Sequence, residues 1–155
     1  MPISSLQAGK ALCVISGDSL SNLEMQKILY IAHMLYLGLD ENKDDPEPLI
    51  NEKFQAWEFG PVAPTLYHHI KSFGARKVSR GAFFTVVGIK SNSEQYKVLK
   101  FAYEMLKDKS VRELVGITHW EGGAWAKSYI PNSRGNTISN KKILQELRDR
   151  QSSTR

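Results

Sequence analysis

The sequence predicts a mainly α, compact single domain of about six helices with one short β-hairpin. Three observations lead there. Residues 21–38 carry one long stretch of helical apolar spacing, with Leu23, Ile28, Ile31, Leu35 and Leu39 on a broad side beside Tyr30 and Met34. Further helical stripes follow serine caps, whereas aromatic and β-branched clusters are short and few. The chain has 155 residues, 41% hydrophobic and 24% charged, which suits one domain with its own core.

The elements follow in order. Leu6, Leu12 and Ile15 give a weak stripe over residues 5–16, predicting a first helix closed by a Gly-Asp-Ser turn at 17–19. Ser21 or Asn22 caps the second helix, Gly38 ends it, and Ala32 lets a neighbour approach. The run ENKDDPEP is a surface loop by charge and proline content. LINEKFQAW, 49–57, reads as a short strand or an irregular extended piece. A short helix opens at Pro64 or Thr65 and stops at Gly74, with Leu66, Tyr67, Ile70 and Phe73 near one face. AFFTVV at 82–87 reads as a short strand or hairpin arm, which points Phe83 and Phe84 to opposite sides. A helix then starts at Asn92 or Ser93 and runs to about Lys109, with Tyr96, Leu99, Ala102, Tyr103 and Leu106 inward. Ser110 caps VRELVGIT, and HWEGGAWAKSYIPNSRGN is mostly loop, or a loop joined to a short turn. Ser139 caps a last helix with Ile143, Leu144 and Leu147 inward, so the domain spans 1–150 and residues 151–155 form a frayed tail.

Composition narrows the function classes. Residues 1–16 have one lysine and no sustained apolar run, so no secretory signal is expected. No run approaches the length of a membrane span. Cys13 is the single cysteine, which leaves no internal disulfide and no cysteine-rich metal site, and suits a reducing cytoplasm. Net charge is +5, unevenly laid out. Asp40, Glu41, Asp44, Asp45, Glu47 and Glu52 face only Lys43 across 40–52. Lys71, Arg76, Lys77, Arg80 and Lys90 stand without an acid across 71–90, and a second basic run includes Arg134, Lys141, Lys142, Arg148, Arg150 and Arg155. Such asymmetry steers charged partners, and the basic runs motivate a nucleic-acid-binding alternative, although no helix-turn-helix or zinc finger is evident.

The window AWEFGPVAPTLY, 56–67, is the most constrained in the chain. Pro61 and Pro64 fix φ, Phe59 and Ala63 precede proline, and Gly60 is free to bend. Its single glycine offers too few free N–H groups for a phosphate cradle. The segment reads as a stiff clamp bearing Trp57, Phe59 and Tyr67, with partner surface and small-ligand site as the alternatives. His68 and His69 diverge as neighbours on a helix. His33 reads as a core-edge residue, Cys13 as core packing, and Lys27 either snorkels or pairs with Glu24 or Glu58. His119, beside Trp120 and Glu121, bonds backbone or meets a partner; a general base there would need a pocket and an orienting group. No catalytic or cofactor fingerprint appears.

Four segments together resemble the Panacea-domain family of SocA-like antitoxins: MQKILY at 25–30, AWEFGPVAPTLYHHIK at 56–71, LVGITHWEGGAW at 114–125, and Ile138 with the Ile143 helix. Lys27, Tyr30, Trp57, Gly60, Pro61, Val62, Tyr67, His119 and Trp125 occupy the family's motif places, with Trp120 adjacent. Gly123-Ala124 stands where the family usually has a proline before tryptophan. The resemblance implies a small helical protein without catalytic, cofactor-binding or metal residues. It implies a toxin–antitoxin role, in which the protein binds and neutralises a cognate toxin by contact, with a protease as second partner if it acts as an adaptor. Autoregulation through operon DNA and a phage or mobile-element interaction role are the alternatives. Trp57, Phe59, Trp120, Trp125 and Tyr129 are the expected anchors, with Lys27 and His119 as polar points.

Overall fold

The fold was described from a computed structural model, covering residues 1–40, 42–133 and 135–153. Glu41 of the acidic run and Arg134 and Arg155 of the last basic run lie outside the described residues.

Helix α1 (Ser5–Ser16) opens on a capping box between Ser4 and Gln7 and closes on Gly17 in the left-handed region. Helix α2 (Asn22–Leu37) repeats the box with Ser21 and Glu24. It is the central rod, buried on nearly every side, and so carries little amphipathic contrast. Around it pack α4 (Glu94–Leu106), α5 (Val111–Thr118) and α7 (Asn140–Ser153), with α1 lying against α4. Ser93 caps α4, and Ser110 with Glu113 boxes the start of α5. Helix α7 continues to Ser153, into the tail expected to fray from Gln151.

A small open sheet covers one flank of α2. Strand β1 (Phe54–Trp57) pairs antiparallel with β2 (Gly60–Val62) on one side and with β3 (Thr137–Ile138) on the other. Glu58 and Phe59 form the hairpin tip. Pro61 is tolerated because β2 is an edge strand. Phe54 enters the core edge-on to Tyr30 and His33, with ring centroids 5.2 and 5.1 Å away. Pro64 opens α3 (Pro64–Ile70) at its first turn, where a missing N–H costs nothing. The remaining α6 (Ala124–Ser128) is a single short turn of helix inside the segment expected as loop or as loop joined to a short turn, making seven α-helices among the described residues.

The one hairpin therefore lies at 54–62, and the arm expected at 82–87 is not a strand. Residues Arg80–Phe83 form a 3-10 turn capped by Ser79. Phe83 is driven fully into the core against Gly9, where an added Cβ would sit 2.9 Å from the ring. Lys10 Nζ and Gln7 Nε2 donate to the Val86 and Val87 carbonyls, groups a strand would offer to a neighbour. Phe84 does point outward, 82% exposed. Leu39, expected on the buried side of α2, is exposed beyond the helix end.

Candidate functional site

Helix α2, the hairpin and the α5–α6 turn meet at one place, and the family-motif residues gather there. Lys27 does not snorkel and meets neither Glu24 nor Glu58. It is 1% exposed, and its Nζ donates to the Pro61 carbonyl at 3.0 Å. Burial without a counter-ion pushes its ammonium down to about 7. The strand can close over it because residue 60 is glycine. Gly60 has φ +115°, and a Cβ there would lie 2.9 Å from Lys27 Nζ and 3.0 Å from Thr118 Oγ1. Gln26, one position earlier, locks the same strand end: its Oε1 accepts from Ala63 N at 2.8 Å and its Nε2 donates back to the Ala63 carbonyl.

The aromatic residues form two connected groups. Trp57 meets Tyr67 edge-on at 4.8 Å, and its indole N–H donates to Gln55. His119 stacks flat on Trp125 at 3.7 Å, and Trp125 stacks on Tyr129 at 4.8 Å. The Trp125 indole N–H donates to the Trp57 carbonyl at 2.7 Å, which ties this column to the hairpin. His119 Nε2 is buried without a hydrogen-bond partner. Burial and the nearby Lys27 charge hold the imidazole below its usual range, opposed by a hydrogen bond with the Phe59 backbone. The other histidines separate as expected for neighbours: His68 faces Trp57 and Tyr67, while His69 Nε2 meets the Ala82 carbonyl at 2.7 Å. His33 is fully buried rather than at the core edge, held between Asn140 Oδ1 and the Ile50 N–H.

Tyr30 and Trp120 lie behind this surface, around Glu146 and Arg150, which the sequence shows only as charges of the last basic run. Glu146 is buried on α7 and accepts from Ala124 N, Tyr30 Oη and Arg150 Nε. Arg150 completes an ion pair at 2.7 Å, bonds the Ile117 carbonyl, and lies over the Trp120 ring. Ala124 stands directly before Trp125, where the family has proline, and supplies an N–H to Glu146 that proline lacks, while a Cβ at Gly123 would lie 2.6 Å from Glu146 Oε1. The spacing of 146 and 150 on the inward stripe of Ile143 and Leu147 was the available signal.

Between the hairpin, the start of α2, α3 and the 129–133 loop opens a cleft of about 840 Å³. Trp57, Phe59, Tyr67 and Tyr129 wall it, Val62 and Lys27 line its α2 side, and Glu58 and Lys71 stand among its polar groups. His119 and Trp125 support the Tyr129 wall from behind. Asn22, Asn132 and Ser133 also line it and carried no motif signal. Among the described residues, no group of three or more His, Cys, Asp or Glu side chains could hold a metal ion. No described helix is long and apolar enough to cross a membrane.

The profile of the "Antitoxin SocA-like, Panacea domain" family matches residues 25–126, well over half of the chain. Antitoxin SocA of Caulobacter vibrioides (strain NA1000 / CB15N) is 28% identical over 127 residues, covering 77% of this chain. The match spans 64% of that relative's own length. No solved structure matches.

Proposed function

The chain belongs to the SocA-like antitoxin, Panacea-domain family, and from that premise we propose that it binds and neutralises a toxin protein by surface contact. The observation that carries the reading is the preformed aromatic cleft, whose walls come from the hairpin, α3 and the α6 end, with α2 beside them. Such a site supplies what tight protein recognition uses: rigid aromatic anchors with few rotamers to freeze, beside polar groups. Phe59, Tyr67 and Tyr129 are the anchors in this reading, with nearly buried Trp57 as the wall behind them; Lys27, Gly60, Pro61, Val62, His119 and Trp125 set their positions. Tyr30 and Trp120 act further back, through Glu146 and Arg150. Neutralisation needs no bond-making group. The toxin and this protein would meet in the cytoplasm, where Cys13 stays a buried thiol. A role in handing the toxin to a protease rests on the family resemblance.

Co-expression with a toxin-like neighbouring gene tests the reading. The expected result is restored growth together with a co-purifying complex. A proven toxin that stays active and unbound overturns it.

A further inference from the structure

We propose that the cleft receives an extended acidic segment of the partner protein, one large apolar side chain entering between Phe59, Trp57 and Tyr129 while a neighbouring carboxylate meets Lys71. This rests on the protein-binding part of the reading above.

Four features of the cleft argue for that occupant. Its volume, about 840 Å³, exceeds a single side chain and suits a short segment. Phe59 sits at the hairpin tip with 60% of its surface uncovered, an apolar cost the isolated domain gains nothing from. The walls are pre-set, since Tyr129 is stacked on Trp125 and Trp125 is bonded to the Trp57 carbonyl, so little order is lost on binding. The charge is lopsided. Lys71 lines the cleft, and a backbone bridge joins Lys77 to Ser21, the neighbour of Asn22 in the lining; neither lysine forms an ion pair among the described residues. Buried Lys27 adds a third basic group with no acid. Against these stands Glu58, exposed at the tip; Glu24 is occupied in its capping box. A single-stranded nucleic acid fits less well. Stacking needs open ring faces along a phosphate-tracking groove. Here Trp57 is nearly buried, Tyr129 has one face covered by Trp125, and Glu58 would repel phosphate.

Fluorescence anisotropy with the full chain tests the proposal. The probes are short labelled peptides with a central Leu or Trp flanked by Asp and Glu. Their Lys-flanked and Ala-centred counterparts and an oligothymidylate complete the set. The acidic, apolar-centred peptides are expected to bind, with both altered sets at least about tenfold weaker, the scale of one lost anchor. Phe59→Ser and Lys71→Glu, both at exposed positions, are each expected to weaken binding about tenfold. Phe101→Ser on α4, outside the cleft, leaves it unchanged. No binding, equal binding of all peptides, preference for oligothymidylate, or indifference to both cleft substitutions overturns the proposal. Toxin rescue is scored separately. If the doubly substituted protein rescues as well as wild type, the cleft proposal falls and neutralisation stands. If wild type fails to rescue while the peptides bind as expected, neutralisation falls and the cleft proposal stands.

Discussion

Two basic side chains of α2 are buried without a counter-ion among the described residues, and both give the protein a measurable pH signature. Burial pushes His33 down to about 4, its bond with Asn140 acting the other way. The unfolded chain takes up a proton near pH 6.5 that the folded chain refuses until about 4. His33 therefore costs nothing above 6.5, and stability falls as pH drops through that window. His119 adds in the same direction. His33→Gln keeps a donor and an acceptor but cannot titrate, so its unfolding free energy should fall less steeply than wild type between pH 6.5 and 4. Urea unfolding at half-unit steps measures this, and identical slopes refute it. Lys27 acts at the other end. Its folded ammonium titrates at about 7 and its unfolded one near 10.4, so stability rises with pH between them. Buried Cys13, pushed up to about 12, cancels the trend above about pH 9, because the unfolded thiol ionises first, and reverses it only above about 10.4, where the unfolded Lys27 has also lost its proton. Between pH 7 and 8.5 wild type should gain on the order of 1–2 kcal/mol, and Lys27→Met should show no such gain. The lysine was legible as a motif residue, but its burial was not. Helical spacing says which face a residue takes, whereas the cover over Lys27 comes from a strand more than thirty positions away.

At the scale of elements, serine caps and apolar stripes placed α1, α2, α4, α5 and α7 from the sequence, because those signals are local. The strands were legible only in part, 49–57 reading equally as a strand or an irregular piece, for the opposite reason. Residues 54–57 become β1 only because β2 and β3 supply partners on both edges. The stronger β composition of 82–87 finds no such partner and instead spends Phe83 on the core under Gly9. Helix α6 was readable only as a short turn joined to a loop, since its start depends on Glu146 of α7 accepting from Ala124 N. Two substitutions probe these joints. Gly60→Ala places a methyl against Lys27 at positive φ and should cost about 1–3 kcal/mol of stability, read by chemical unfolding. Glu146→Ala leaves Arg150 without its acid and releases α6. It should cost about 3–5 kcal/mol and raise the amide exchange of residues 124–128 ahead of the rest. Loss of stability without that local change would detach α6 from Glu146.

For the whole molecule, fold class and family motifs were readable because they are spread in order along the chain. The charge map was readable only in part, since ion pairing depends on which residues fold together. The basic run 71–90 is weaker than its sequence suggests. Arg80 pairs with Asp18 at 3.1 Å, and the Arg76 guanidinium is turned back onto the Ser72 and Phe73 carbonyls. In the last run Arg150 is committed to Glu146. Lys71, Lys77 and Lys90 remain as exposed cations of the first run. Each phosphate neutralised on duplex DNA contributes a slope of roughly −0.9 in log K against log salt. Three such contacts give a slope near −3, too shallow for operon binding held by a continuous basic surface. Titrating duplex DNA by anisotropy between 50 and 200 mM salt, a range that spreads such slopes apart, should therefore give weak binding with a slope no steeper than about −3. A slope near −6 or beyond would mean that the second basic run joins the first on one face, and would favour the autoregulatory alternative over a purely protein-directed surface.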